Sequence, residues 1–94
     1  MTGFDWDPRK EAINIEKHGV SFSIAVRVFG DPKRKVILDL KHIVREQRFF
    51  CIGSIDGRIL TVRFVYRGEV IRIFGAGYWR MGREIYEKKA EETE

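Results

Sequence analysis

Residues 70–88, VIRIFGAGYWRMGREIYEK, decide how this chain folds. Residues 70–74 alternate in polarity as a β-strand does, and the glycine-rich residues 75–77 are predicted to end that strand. A final helix is predicted over about 82–91, and four large side chains crowd the turn around its start: Tyr78, Trp79, Arg80 and Arg83. Arg72 and Arg80 therefore flank a glycine hinge beside two aromatic side chains. This arrangement suits a ligand that carries phosphates and bases.

The composition indicates one small domain. The 94 residues are 44% hydrophobic and 13% aromatic, which is enough for a single core. Cys51 is the one cysteine, so no internal disulfide can form, as is typical of proteins in a reducing cytosol. No apolar run approaches the length of a membrane span, and the N-terminal residues do not resemble a signal peptide. We expect a single cytoplasmic domain over residues 1–94 that makes no membrane contact.

The charge of the chain is unevenly distributed. The net charge is +4, but residues 84–94 contain five glutamates and two lysines and have a net charge of −3. Residues 1–83 hold 16 basic and nine acidic side chains, a net charge of +7, and 11 of the 18 basic residues are arginine. An arginine-rich basic body favours an anionic partner, either nucleic acid or an acidic protein. Ordinary solubilising surface charge is the alternative.

Two short helices are predicted before residue 31. Asp7 as N-cap, Pro8 at the first helical position and Gly19 as terminator delimit the first helix, over about 8–18. Ser21 is the predicted N-cap of the second helix, which ends at about residue 30. Its apolar face recurs with helical spacing: Phe22, Ala25, Val26 and Phe29.

From residue 36 onward the apolar pattern has a period of two. It predicts four antiparallel strands in a meander, with Asp56-Gly57 and Arg67-Gly68 as tight turns. The predicted strands cover 36–40, 47–54, 58–66 and 69–74. Residues 4–6 are a short segment for which an edge strand is one interpretation. The predicted fold class is therefore α+β, with two N-terminal helices, a four-stranded antiparallel sheet and one C-terminal helix.

The two faces of the predicted sheet differ in chemistry. Two-residue turns make one face almost purely apolar, so that this face packs on the helices. The other face sets Arg48, Arg63 and Arg72 into an apolar surface, with Arg63 directly opposite Arg72. Opposed like charges destabilise a sheet, and an anion bound between them would relieve that cost. Neutralisation by Glu46, Glu69 or the acidic last helix is the alternative interpretation.

The sequence contains no motif for a metal ion or a cofactor. His18 and His42 are far apart, and one cysteine does not build a zinc site, so we predict neither group. Residues 75–77 lack the Lys-Ser/Thr pair of a phosphate-binding loop, and Cys51 points to the predicted core. An arginine-rich site with aromatic side chains fits cleavage of RNA by its own 2′-hydroxyl. That reaction requires positioning, charge stabilisation and modest proton transfer.

A series of short motifs and single residues is spread along the chain: Phe4-Asp5-Trp6-Asp7, Lys10, Asn14, Lys17-His18-Gly19-Val20-Ser21-Phe22, Ala25, Phe29-Gly30-Asp31-Pro32, Glu46-Gln47-Arg48-Phe49, Ile52-Gly53, Gly57-Arg58, Val62 and Ile71-Arg72-Ile73. Together they resemble the pattern of the BrnT toxins over nearly the whole length. Many members of that family have Arg-Ile-Ile-Ser-Ala-Arg where residues 72–77 here are RIFGAG. Gly77 thus replaces the second arginine of the commoner pattern, as in a glycine-aromatic branch of the family.

The resemblance implies a RelE-like fold and the toxin of a type II toxin–antitoxin system. It implies a metal-independent ribonuclease that blocks translation and is held inactive by a BrnA-type antitoxin. That antitoxin would carry a ribbon-helix-helix DNA-binding domain, and the complex would repress its own operon on DNA. A non-catalytic basic module that docks an acidic protein or nucleic acid is the alternative function.

The predicted site residues fall into three groups. The scissile phosphate is expected to contact Arg72, Arg63 and Arg48, with Arg80 as a further catalytic arginine. Proton transfer is assigned to the candidates His18, Glu46 and Tyr86. The predicted RNA-binding residues are Tyr78, Trp79, Arg83 and Lys17.

Overall fold

A computed structural model of the chain describes residues 3–41 and 45–88. Three α-helices and five strands follow one another, with a 3₁₀ helix after α2. Their bounds are β1 Gly3–Trp6, α1 Pro8–His18, α2 Phe22–Ala25, the 3₁₀ helix Val26–Gly30, β2 Lys35–Leu38, β3 Phe49–Ile55, β4 Arg58–Arg67, β5 Val70–Gly77 and α3 Arg80–Glu87. The predicted α+β class is confirmed. None of the helices in these described ranges is both long and apolar enough to cross a bilayer.

The N-terminal helices have the predicted ends. The Asp7 side chain accepts a hydrogen bond from the Arg9 backbone N–H at 2.9 Å, and Gly19 closes α1 with a φ of 70°. Ser21 caps α2 by accepting from the Ile24 N–H at 3.2 Å. The second predicted helix is present but tightens into the 3₁₀ form after Ala25. Its predicted apolar face still packs against the core.

The sheet has five strands in the order β1-β5-β4-β3-β2, and β1 runs parallel to β5. The prediction of a four-stranded, purely antiparallel sheet was therefore wrong. The last strand of the meander, β5, leaves one edge open, and β1 occupies that edge. From β1, helices α1 and α2 and the 3₁₀ helix carry the chain to β2 at the opposite edge of the sheet. Gly3–Trp6 is thus the edge strand that the sequence offered as one interpretation.

The register of the β3–β4 hairpin is the predicted one, with Cys51 opposite Val62 and Phe50 opposite Arg63. Its turn, Asp56-Gly57, has φ values of 51° and 83°, as the primed turns of hairpins require. The β4–β5 hairpin differs from the prediction. Its turn lies one residue later, at residues 68–69, because Gly68 takes the positive φ of 64° as the first turn residue.

A β-bulge in β5 changes which side chains face each other. Phe64 pairs with Ile73, and Arg63 then pairs with Gly75, so Phe74 is the extra residue. The predicted pairing of Arg63 with Arg72 was wrong because the later turn already places Arg72 opposite Val65; the bulge then moves the partner of Arg63 from Phe74 to Gly75. The prediction that residues 75–77 end the strand was also wrong. The bulge absorbs the irregularity, and β5 continues to Gly77.

The apolar face of the sheet packs on α1, α2 and the 3₁₀ helix, as predicted. Twelve buried residues form this core: Val20, Phe22, Ala25, Val28, Cys51, Ile55, Leu60, Val62, Phe64, Ile71, Ile73 and Ala76. Asn14 fastens α1 to β5, since its amide nitrogen donates to the Val20 and Ala76 carbonyls and its oxygen accepts from the Ala76 N–H. Tyr66 lies next to the end of β4, and its side chain is 50% exposed.

Helix α3 crosses the opposite face of the sheet. It begins at Arg80, two residues earlier than predicted, and the predicted residues 89–91 lie outside the described ranges. Gly82 lies directly against Thr61 and Ile52, which pair with each other between the Arg63–Phe50 and Ile59–Ser54 pairs. The far end of α3 is fastened by the Tyr86 hydroxyl, which donates to Asp31 at 2.6 Å.

Candidate functional site

Helix α3 divides the second face of the sheet into two regions that could bind a ligand. On one side lies the arginine face, which we define as Arg48, Arg63, Arg72 and Phe74. On the other side, between the tip of the β3–β4 hairpin and α3, lies a cleft that we call the tip cleft. Its lining residues are Gly57, Arg58, Ile59, Tyr78, Trp79, Arg80, Arg83 and Glu87.

Phe74 is the centre of the arginine face. The guanidinium carbons of Arg48 and Arg63 lie 5.0 and 4.9 Å from the centroid of its ring, within cation–π distance. The bulge in β5 makes Phe74 the extra residue beside Arg63. Gly75 leaves room for the Arg63 stem, because a Cβ at position 75 would lie 3.3 Å from the Arg63 Cδ.

The charges of Arg48 and Arg63 are not neutralised by ion pairs within the described part of the chain. Burial lowers the pKa of Arg63, and the nearby Arg48 charge lowers it further, while Asp39 acts in the opposite direction. The guanidinium groups of Arg48 and Arg63 both lie on the Phe74 ring and repel each other. An anion placed between the two guanidinium groups would relieve that repulsion.

Arg72 lies on the same face but has a partner. Its Nη1 is 3.1 Å from Asp5 Oδ1, because the parallel register of β1 and β5 places Asp5 beside it. The two side chains are 35% and 54% exposed, and an exposed pair of this kind contributes about 0–1 kcal/mol. The sequence did not reveal this neutralising group, because nothing local connects β1 with β5.

The tip cleft encloses about 520 Å³. The Arg58 guanidinium lies on the Tyr78 ring, 3.7 Å from its centroid. Trp79 is the N-cap residue of α3 and provides no side-chain hydrogen bond to the first turn. Arg58 was not among the predicted site residues. Its position directly after the Asp56-Gly57 turn was the available signal, since that turn places it at the hairpin tip.

Trp79 is held between Gly77 and His18. A Cβ at position 77 would lie 2.6 Å from the Trp79 ring, so this glycine is the surface on which the indole rests. The His18 ring meets the indole edge-on, with 5.3 Å between centroids. His18 and the exposed Lys17 form the last turn of α1. The structure therefore brings His18 to Trp79 rather than to the arginine face.

The predicted site is thus divided in two. Four of its residues line the tip cleft together: Tyr78, Trp79, Arg80 and Arg83. They are separated by α3 from the three arginines of the arginine face, Arg48, Arg63 and Arg72. The remaining two proton-transfer candidates are engaged elsewhere. Glu46 forms a bidentate ion pair with Arg67 at 2.9 and 3.2 Å, and Tyr86 is bonded to Asp31.

Neither a cysteine nucleophile nor a cluster of metal ligands is found in the described part of the chain. Burial raises the pKa of the Cys51 thiol to about 12, so this cysteine is a core residue and not a nucleophile. Within residues 3–41 and 45–88 there is no group of three His, Cys, Asp or Glu side chains that could hold a metal ion.

A family model matches residues 6–82, and its description is the ribonuclease toxin BrnT of type II toxin–antitoxin systems. The match covers well over half of the 94 residues. The chain belongs to the BrnT family. The resemblance found in the sequence motifs is confirmed. A comparison with curated proteins gave no match. The part of this BrnT chain that matches includes the whole arginine face and most of the tip cleft, but it ends before Arg83 and Glu87.

Proposed function

We propose that the protein is the ribonuclease toxin of a type II toxin–antitoxin system and that it holds the scissile phosphate of RNA at the arginine face. Membership of the BrnT family supports the toxin and ribonuclease roles. The arrangement around Phe74 carries the assignment of the site. Arg48 and Arg63 lie within 5.0 Å of one ring, and neither has an ion-pair partner in the described residues. Two adjacent cations on a partly buried surface suit a phosphate.

The proposed reaction is an internal transesterification. The 2′-oxygen attacks the neighbouring phosphorus, the bond from phosphorus to the 5′-oxygen breaks, and the products are a 2′,3′-cyclic phosphate and a free 5′-hydroxyl. Negative charge accumulates on the non-bridging oxygens in the transition state, and Arg48 and Arg63 would stabilise it there. The 2′-hydroxyl proton passes to solvent or a base, and the 5′-oxygen gains one. In this proposal the reaction requires no metal ion.

Arg72 has a secondary role in this mechanism. Its exposed pair with Asp5 is weak enough for a phosphate to compete for the guanidinium. Arg72 would therefore have to leave Asp5 before it contacts the phosphate, whereas the Arg63 side chain is already held in position over Gly75. We expect loss of Arg63 to reduce activity more than loss of Arg72.

The partners follow from the family and from the charge. We propose a BrnA-like antitoxin with a ribbon-helix-helix domain that covers the basic surface, and a complex of the two proteins on operator DNA. Residues 1–83 have a net charge of +7, which supports an acidic partner surface. We also propose that the protein is a single RelE-like domain that acts in the cytoplasm and inhibits translation by cutting RNA.

The test is cleavage of a labelled RNA in EDTA by purified protein with Arg63→Ala, Arg63→Lys and Arg27→Ala. Arg27→Ala is the charge-matched control, because Arg27 pairs with Asp56 away from the arginine face. We expect Arg63→Ala to lose about 100-fold in kcat, as for removal of one transition-state donor, and Arg27→Ala to retain activity. Full activity of Arg63→Ala, or cleavage that stops in EDTA, would contradict the proposal.

One observation favours a second function, namely binding of an acidic protein or nucleic acid without cleavage. None of the three candidates for proton transfer lies at the arginine face, since His18 contacts Trp79, Glu46 pairs with Arg67 and Tyr86 bonds Asp31. RNA that binds the protein tightly but remains intact would support this function. Toxicity in a growth assay, relieved by the antitoxin, separates the two, because the binding function predicts normal growth.

A further inference from the structure

We propose that the tip cleft binds one nucleotide of a single-stranded RNA, on the far side of α3 from the phosphate held at the arginine face. The proposal rests on the proposed function and adds a second contact to the same substrate. The proposal predicts a preference for RNA above a minimum length, because a single RNA strand must reach both the arginine face and the tip cleft.

The charges of the tip cleft call for an anion. Three arginines, Arg58, Arg80 and Arg83, line one cavity, and none has an ion-pair partner within the described residues. Glu87 is the one carboxylate of the lining, so the arginines outnumber it. Three unneutralised arginines around a concave surface are suited to the oxygens of a phosphate, which a planar guanidinium contacts bidentately.

The aromatic side chains of the cleft call for a base. The Arg58 guanidinium already lies flat enough on Tyr78 to come within 3.7 Å of the ring centroid, and Tyr78 is 37% exposed. RNA-binding proteins stack unpaired bases on aromatic rings and on the planes of arginine side chains. Trp79 is held in place by Gly77 and His18, so the cleft is formed before a ligand arrives.

The distance between the two regions sets a length requirement. Ile59 lines the cleft and Arg63 belongs to the arginine face, and four residues of β4 span about 13 Å. The first turn of α3 lies between them over Thr61. A dinucleotide occupies the arginine face alone, whereas a strand of several nucleotides passes α3 and reaches the cleft.

A protein partner is the weaker occupant. An acidic peptide would use the arginines but would leave the Arg58–Tyr78 pair without a stacking partner. A cavity of about 520 Å³ that combines three arginines, two aromatic rings and Ile59 matches a phosphate joined to a flat base. We therefore assign the cleft to RNA and make the protein partner an outcome of the test.

The experiment compares a dinucleotide and a heptanucleotide as substrates for Arg58→Ala, Tyr78→Leu and the control Arg27→Ala. Both cleft residues are exposed at the surface, and circular dichroism melting checks that each variant folds. We expect either cleft variant to lose about tenfold in kcat/KM on the heptanucleotide, equivalent to about 1.4 kcal/mol, through a higher KM. Cleavage of the dinucleotide and both rates of the control should be unchanged.

Equal losses on both substrates, or no loss on either, would overturn the proposal. If the wild-type protein cleaves neither RNA, the proposed function is refuted. RNA binding then tests the proposed role of the tip cleft separately. The probe is a fluorescent 2′-O-methyl heptanucleotide, measured by anisotropy. Weaker binding by the cleft variants supports the RNA subsite. Unchanged RNA binding, together with weaker binding of the co-expressed antitoxin, overturns it in favour of a protein contact.

Discussion

Replacing Gly82 by alanine should destabilise the protein, although the same change stabilises most helices. In a helix interior, alanine is favoured over glycine by about 1 kcal/mol. Gly82 is buried in α3, and a Cβ at this position would overlap the Thr61 hydroxyl and lie 3.1 Å from the Thr61 Cβ. Thr61 belongs to a central strand, so the strand cannot retreat. The helix must move away from the sheet instead.

The magnitude follows from two opposing effects. Overpacking a buried contact costs about 1–3 kcal/mol, and the contact here involves a rigid strand, so we take the upper value of about 3 kcal/mol. After the helical preference of alanine is subtracted, the variant should lose about 2 kcal/mol of unfolding free energy. Thr61→Ala removes the overlapping hydroxyl, which is buried and has no hydrogen-bond partner. The double variant Gly82→Ala/Thr61→Ala should therefore recover most of the loss.

Urea unfolding of the wild type, both single variants and the double variant measures this coupling. Gly30→Ala is the matched control, because Gly30 is exposed and a Cβ there would meet nothing within 4 Å. We expect the control to stay within about 0.5 kcal/mol of the wild type. If Gly82→Ala is as stable as the wild type, or if Thr61→Ala does not rescue it, α3 does not pack on Thr61 in this way. The separation of the arginine face from the tip cleft would then be unsupported.

Three further predictions concern the groups that hold the fold together. Asn14→Ala should lose about 3 kcal/mol in urea unfolding, because three buried hydrogen bonds to backbone groups disappear. The hydrogen bond from Tyr86, followed by that from the Ser54 N–H, lowers the pKa of Asp31 below 3.8. The ionised Asp31 carboxylate therefore stabilises the fold fully above pH 3.8, and this contribution is lost as the pH falls below that value. The same bond raises the pKa of Tyr86 above 10, so its stabilisation is full below pH 10 and is lost at higher pH. In a pH series of unfolding curves, Tyr86→Phe should abolish the high-pH effect and weaken the low-pH effect, to which the Ser54 N–H also contributes. Because burial raises its pKa to about 12, the Cys51 thiol should resist a disulfide reagent in the native protein and react in urea, and rapid native labelling would contradict its burial.

Local signals predicted the elements that depend on neighbouring residues. Asp7 and Gly19 delimit α1 as expected, and the Asp56-Gly57 turn fixes the β3–β4 register with every inward side chain on the correct face. The misses depend on contacts between distant segments. The pairing of β1 with β5 joins residues more than 60 positions apart, and no composition signal announces it. The bulge at Phe74 was hidden because a bulge changes pairing without changing the apolar pattern before it.

The candidate site was predicted in its residue types but not in its layout. The β3–β4 register was predicted correctly, and it places Arg48 close to Arg63. Arg72 was predicted to face Arg63, but the later turn between β4 and β5 places it opposite Val65. No local pattern indicated that Arg80, at the start of α3, would lie apart from the arginine face. That position depends on Gly82 fitting over Thr61, which is a tertiary contact and not a helical preference.

The glycines of β5 show why the arginine of the commoner family pattern cannot simply be restored at position 77. Gly75 is covered by the Arg63 stem and Gly77 by the Trp79 indole, while Ala76 between them points into the core. Any side chain at position 77 would displace Trp79, because its Cβ alone would come within 2.6 Å of that ring. The observed position of the Trp79 ring is therefore incompatible with an arginine at position 77. In this chain Trp79 excludes an arginine from position 77. The arginines that follow β5, Arg80 and Arg83, line the tip cleft instead.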